Sequence, residues 1–262
     1  AANVRDRTEG RVSVKFFHSG VMGDERDVVS KMKLGQLDGA ILTSAGLSRI
    51  DDSANILETP GLFASTSELD YTADKIWPAV RTKFLAKGYK LLGRGEIGSV
   101  HIVSKTPVTT LAELQALKMC TFSDDLPFRS LLTRFGMSGV PLGVPEVASS
   151  LTSGRITGCY ASSGQTVALR WHEQIKYMTS VRIRYAITAT VLNKTVYEKL
   201  SVSDRKIFDD ESVDASKKLR SHARKEEKQA RTVLERKGVT ISETPAALVR
   251  EFESKMLQVQ SD

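Results

Sequence analysis

Residues able to do chemistry are sparse in this chain and poorly arranged for it. The four histidines, His18, His101, His172 and His222, stand far apart, with no HxxxH or HExxH spacing. Two cysteines, Cys120 and Cys159, make neither a metal-ligand cluster nor a disulfide framework. No metal and no cofactor is therefore expected. Ser163, in "SSGQT", lacks the GxSxG turn that would expose a nucleophilic serine. "GRGEIGS" at 93–99 superficially resembles a phosphate loop, but a strand follows it, so no helix N-terminus awaits a phosphate. Cys120 as a nucleophile would need a nearby base or helix N-terminus to lower its pKa, and the sequence identifies neither. The two thiols read as buried small hydrophobes, with a Cys120–Cys159 bond as the alternative.

Charge narrows the partners without naming one. The net charge is +7, and residues 217–237 hold nine Lys or Arg against three Glu. Glu227, Arg231 and Glu235 follow one another at helical i,i+4 spacing, and no aromatic or nucleic-acid-reading motif accompanies them. A solvated helix face is expected, with no nucleic-acid partner. No apolar run approaches the roughly 18–20 residues that would span a bilayer.

The elements that must position any site alternate strand and helix, which predicts an α/β fold. "GRVSVKFFHSG" alternates Val12, Val14 and Phe16 with polar residues and reads as a half-buried strand. A helix over 24–34, the strand "LDGAIL", the helix "IWPAVRTKFLAKG" and the strand "YKLLGRG" follow. The pattern then restarts with "SVHIVSK", "TLAELQAL", "KMCTF", "DLPFRSLLTRFG", "GVPLGV", "PEVASSLTSG" and "ITGCYA", before a helix near 164–175 and the strand "RYAITATVLNK". From Ser203, the N-cap candidate, to Gly238, one uninterrupted helix of roughly 50 Å is predicted. The polar start "AANVRDRTEG" reads as a helix joined partway along, without a signal peptide.

One unit is written twice. "KMKLGQLDGAIL" at 31–42 and "SLTSGRITGCYA" at 150–161 align as helix, Gly stop and short strand, Gly35 facing Gly154 and Gly39 facing Gly158, with Asp38 replaced by Thr157. Two related lobes with a cleft between them follow, and the two turns are expected near that cleft. Ligands of open α/β sheets sit at the carboxyl ends of strands, so facing strand ends make a small-molecule site.

The order of these elements resembles the solute receptors of tripartite ATP-independent periplasmic (TRAP) transporters over nearly the whole chain. The phrases that carry the resemblance are "GRVSVKFFHSGVMGDERDVVSKMKLGQLDGAI", "LETPGLFAS", "SKTPVTTLAELQALKMC", "RFGMSGVPLGVPEVASSLTSGRITG" and "IKYMTSV". The resemblance implies a two-lobed periplasmic-binding-protein fold of type II-like construction, with a long helix spanning both lobes. It also implies that the family's first strand is missing before Ala1. The expected division is 1–98 plus 190–236 for lobe I and 99–189 plus 237–262 for lobe II, with hinge strands near 99–104 and 186–192. The family grips a carboxylate with an Arg whose position here is Cys120. A second polar clamp falls at Val100, and the acidic and Asn positions fall at Tyr160 and Ala161.

A thiol and a valine supply neither the charge nor the fork of a bidentate Arg. The expected site is therefore an apolar cleft of Phe17, Phe63, Val100, Cys120, Phe122, Tyr160 and Trp171, with hydroxyls from Thr43, Ser44, Ser162 and Ser163. Arg94, Arg129 and Arg170 are the candidates to replace the missing clamp. The resemblance implies a non-enzymatic, monomeric, periplasmic receptor. It would capture an apolar or amphipathic small molecule and deliver it to TRAP membrane subunits. A lipid or sterol-like carrier on the same fold and a Cys120-dependent enzyme are the alternatives.

Overall fold

A computed structural model describes residues 2–18, 20–122 and 125–261. Two strands dominate it. β2 (Tyr89–Ser104) and β7 (Arg184–Asn193) pair antiparallel from Tyr89↔Asn193 to Val100↔Arg184. β1 (Gly39–Thr43) joins the outer edge of β7. Beyond Val100 the same β2 pairs with β5 (Gly158–Ala161) and β6 (Tyr177–Thr179), and β8 (Thr240–Ser242) extends that side in parallel with β6. A separate parallel pair joins β3 (Cys120–Phe122) to β4 (Val140–Leu142).

Where the sequence predicts two strands around "GRGEIGS", the structure has one strand of 16 residues. The glycines are not a loop: they let helix and strand close on each other. A Cβ on Gly93 would stand 1.6 Å from Ser216 Oγ. At Gly98, φ is +132°, beside a register shift against Ala186. A left-handed backbone at a bulge is where a residue without Cβ is needed.

Each half of the β2–β7 ribbon carries its own apolar core. One gathers Val29, Met32, Leu42, Leu57, Leu69, Phe84 and Ile187; the other gathers Ile102, Phe128, Leu151, Trp171, Leu234 and Phe252. The helices supply one face each: α2 (Glu25–Lys33), α3 (Ser44–Ser48) and α4 (Thr66–Ala86) on the first core; α5 (Leu111–Gln115), α6 (Leu126–Arg134), α7 (Val147–Ser153) and α8 (Ser163–Ala168) on the second. Helix α4 starts at Thr66 behind the Ser65 cap and carries Pro78 inside it, well before the "IWPAV" start read from sequence.

The short N-terminal helix α1 (Ala2–Arg7) lies against a much longer one. With α9 (Lys194–Lys199) between it and β7, α10 (Val202–Arg236) runs unbroken for 35 residues. Its cap is Ser201, whose Oγ accepts from Asp204 N at 3.0 Å, rather than Ser203. Helix α11 (Ala246–Gln260) follows on the second core. Helix α10 is pinned along β2 at Lys90–Asp209 (3.0 Å), Ser212–Gly93 N (3.1 Å) and Arg220–Arg94 O (2.8 Å). Farther along, Glu227 accepts from Ser163 N (3.1 Å) and Gly164 N (3.2 Å) at the start of α8. The basic stretch is thus divided: Lys217, Lys218, Lys225 and Lys228 are exposed, while Arg220 and Arg224 turn inward. No helix among the described residues is long and apolar enough to cross a membrane.

The expected strand over 11–18 does not form. No described strand pairs with it, and Phe16 and Phe17 remain about half exposed. Alternation alone does not make a strand when the backbone has no neighbour to pair with. Ser19, at the end of that phrase, lies outside the described residues, as does Ala1. The two copies of the repeat are recognisable: Gly35 and Gly154 both close their helices with positive φ, +71° and +74°. Their turns, however, are not among the residues that line the cleft. Asp38 O accepts from Asn193 N, and Thr157 Oγ1 accepts from Lys118 N. The following strands carry the chain from these turns to the cleft, which Thr43 and Tyr160 reach.

Candidate functional site

The ends of β1, β3 and β5 face a cavity of about 730 Å³, within the range typical of small-molecule sites. Thr43 closes β1 and Ser44 opens α3; Phe122 closes β3; Tyr160 lies on β5 and Val100 on β2. Trp171 enters from a single 3-10 turn, Trp171–Glu173. The walls are largely apolar, with Val28, Ile41 and Leu42 on one side and Leu142, Val144, Pro145 and Leu169 on the other, while Asp24, Glu25, Arg26 and Gln165 also line the cavity.

The floor is charged, which no motif in the chain announces. Arg184 opens β7 fully buried, with Asp125 and Glu58 against its guanidinium. Arg184 Nη1 donates to Asp125 Oδ1 at 2.7 Å, and Nη2 donates to Oδ2. Glu58 Oε2 stands 3.2 Å from Nη2 and also accepts from Ser44 Oγ at 2.9 Å, while Oε1 accepts from Ile187 N at 2.8 Å. Tyr160 OH donates to Asp125 Oδ2 at 2.7 Å, and its ring stacks on Phe128. Asp125 itself caps α6 by accepting from Phe128 N at 3.1 Å. Arg184 Nε is buried and has no acceptor among the described residues.

Burial sets the proton affinities here. It raises the Glu58 pKa, with Arg184 acting against it and Asp125 adding to it. Burial opposes the charge on Arg184, but Asp125 and Glu58 outweigh it and raise its pKa. Tyr160 is raised by burial and by Asp125 and stays a phenol. At the rim, Glu25 accepts from Thr43 N (2.9 Å), Thr43 Oγ1 (2.8 Å) and Gly46 N (2.6 Å); its pKa is raised by burial, which these bonds oppose. His101 is buried on β2 beside Val181 O, its pKa lowered to about 4 by burial and Arg231.

Of the residues expected at the site, Thr43, Ser44, Val100, Phe122, Tyr160 and Trp171 line the cavity. The others are elsewhere. Phe17 is half exposed, and Phe63 packs in the first apolar core. Ser162 is consumed capping α8 at Gln165 N (3.1 Å), and the Ser163 and Gly164 amides are taken by Glu227. Arg94 pairs with Asp70 on the α10 side, within a network that Arg224 extends to Glu96 (2.7 Å). Arg170 is exposed and pairs with Glu173, and Arg129 is exposed as well, so none of the three expected arginines reaches the cleft.

Cys120 and Cys159 form a buried disulfide between β3 and β5. This replaces the free-thiol reading and removes Cys120 as a nucleophile. Met119 and Gly158 are bridged in parallel, which sets the two cysteines side by side. Among the described residues no cluster of His, Cys, Asp or Glu has the arrangement to hold a metal. Arg184, Glu58 and Asp125 were missed because they are far apart in sequence and converge only when β7, a 3-10 turn at Asp52–Glu58 and the start of α6 meet.

A model of the family described as bacterial extracellular solute-binding protein, family 7 (DctP), matches residues 1–262. A solute-binding protein of Verminephrobacter eiseniae is 26% identical over 243 residues, which is 92% of this chain and 72% of that protein. The 2,3-diketo-L-gulonate-binding periplasmic protein YiaO of Escherichia coli is 24% identical over 200 residues, 76% of this chain and 61% of that one. The chain therefore spans about three fifths to three quarters of the length of these two relatives. Among solved structures, a TRAP periplasmic solute-binding protein of Chromohalobacter salexigens with bound D-glucuronate superposes with a TM-score of 0.92 at 24% identity, covering 100% of this chain and 86% of the other. An extracytoplasmic solute receptor of Bordetella pertussis that binds pyroglutamic acid gives 0.94 at 19%, with the same coverage. This chain shares their two-lobed fold, and the long helix α10 is part of it here.

Proposed function

We propose that this chain, which belongs to bacterial extracellular solute-binding protein family 7, is the periplasmic receptor of a TRAP-type transporter and binds an apolar or amphipathic small molecule in the cleft between its lobes. The family and fold are those of transport solute-binding proteins and not of enzymes. The observation that carries the ligand class is the cavity itself: about 730 Å³ with aliphatic and aromatic walls, over a floor whose one buried arginine is already paired. Relatives in the fold bind acids such as D-glucuronate and pyroglutamic acid. The resemblance sets the family's clamp position at Cys120, and a cysteine held in a disulfide supports a different grip there.

Delivery to TRAP membrane subunits follows from family membership, with the receptor acting as a monomer. Closure would bend the β2–β7 ribbon near the bulge at Gly98 and Ala186, where the ladder is already irregular. That bend separates lobe I (1–98 plus 190–236) from lobe II (99–189 plus 237–262). Native mass spectrometry of the purified protein, followed by extraction and identification of the bound compound, tests the ligand class. A one-to-one apolar or amphipathic compound is expected; a small dicarboxylate would overturn the reading.

A further inference from the structure

We infer that Asp125 is the specificity-determining residue of this cleft: by filling the guanidinium fork of Arg184 it turns carboxylates away and leaves Arg184 Nε as an unpaired donor for an uncharged ligand. The inference rests on the receptor reading above and adds the ligand's polar group to it.

The hydrogen-bond inventory of the floor carries the argument. An ionised carboxylate offers about four acceptor sites. In Asp125 all four are taken: Oδ1 by Phe128 N (3.1 Å) and Arg184 Nη1 (2.7 Å), Oδ2 by Tyr160 OH (2.7 Å) and Arg184 Nη2. Arginine recognises a carboxylate through two parallel N–H bonds in fixed geometry. That pair of donors is committed to Asp125, with Glu58 against the outer one. A ligand carboxylate would have to displace Asp125 into the floor or sit beside two carboxylates.

Of the two N–H groups left over, Nε is buried without an acceptor among the described residues, on a residue that lines the cavity. An orphaned buried donor calls for a partner. One isolated N–H suits one carbonyl, ether or hydroxyl oxygen. Glu58 Oε1, which among the described residues accepts from Ile187 N alone, can take a donor from the same group. A primary amide or hydroxyl on an apolar body matches this set; an anion does not.

The test uses benzoate and benzamide, which share a shape and differ in charge. Each is titrated calorimetrically near neutral pH into wild type, Asp125→Asn and Asp125→Ser. Both variants keep an oxygen to cap Phe128 N, and urea melts identify which is folded. Wild type is expected to give no saturable heat with benzoate, and to take benzamide in preference. A folded variant, its Arg184 fork freed, is expected to gain at least about tenfold in benzoate affinity (~1.4 kcal/mol). That gain is expected to vanish when Arg184→Gln is added. Saturable benzoate binding by wild type overturns the inference, as does a folded variant that gains nothing or a gain that survives loss of Arg184. Those outcomes leave the receptor reading standing. It fails separately if the protein supports no uptake when combined with TRAP membrane subunits.

Discussion

Replacing Arg184 with methionine is expected to lower the unfolding free energy by about 3–5 kcal/mol near neutral pH, the cost of breaking a buried ion pair by removing one partner. Methionine fills similar volume, so the loss is electrostatic rather than a cavity effect. Asp125 and Glu58 would be left buried, 3% and 1% exposed, without the cation that both face. The penalty should shrink in acid. Glu58 already has a raised pKa in the folded protein, through burial. A carboxyl whose folded pKa lies above its unfolded value favours the folded state when protonated. Its contribution is fully present below the unfolded pKa and is lost as pH rises through the folded one. Without Arg184 that folded pKa rises further, so the variant should lie closest to wild type near pH 4 and farthest at neutrality. Urea titrations across this range check it. A penalty under about 1 kcal/mol that does not vary with pH would show that the floor is not the buried ion cluster described here.

The Cys120→Ala/Cys159→Ala protein is expected to lose about 4 kcal/mol, the loop-closure entropy for a crosslink spanning 39 residues. That loop contains β4, α6 and α7, so the bond restrains most of the second core in the unfolded chain. Because both cysteines are fully buried, a reductant should act mainly on unfolded molecules. The measurement is a urea melt with and without reductant after equilibration. Coincident wild-type curves, or a double variant as stable as wild type, would contradict the expectation. Such a bond belongs in an oxidising compartment, consistent with the periplasmic reading.

Much of the scaffold was legible because it rests on local signals. The repeated Gly-stop units, the unbroken 202–236 helix and the alternation of strand and helix each depend on residues near one another in the chain. The cleft's apolar wall was legible for the same reason: Val100, Phe122 and Tyr160 fall at strand positions that the pattern locates. The failures share a different cause. The 93–99 glycines looked like a loop because their reason, the close approach of α10 to β2, is a tertiary contact. The 11–18 segment alternates like a strand, but pairing decides, and no described partner lies beside it. The cysteines were read as free, with a Cys120–Cys159 bond as the alternative, because spacing alone does not report that β3 and β5 lie side by side. Arg184, Glu58 and Asp125 carry no motif at all. Each looks like an ordinary surface charge until β7 and two helix ends bring the three together.

The central claim is that this cleft is where the ligand sits. It is tested most directly by calorimetry of the compound released from the purified protein, titrated into wild type, Ile41→Glu and Val144→Glu. These two residues line opposite walls and are partly exposed, at 51% and 39%, so a charge at either should leave the fold intact. Wild type is expected to bind one equivalent, and each variant to bind at least about tenfold more weakly (~1.4 kcal/mol). Folded variants that both bind with wild-type affinity would place the ligand elsewhere and contradict the account.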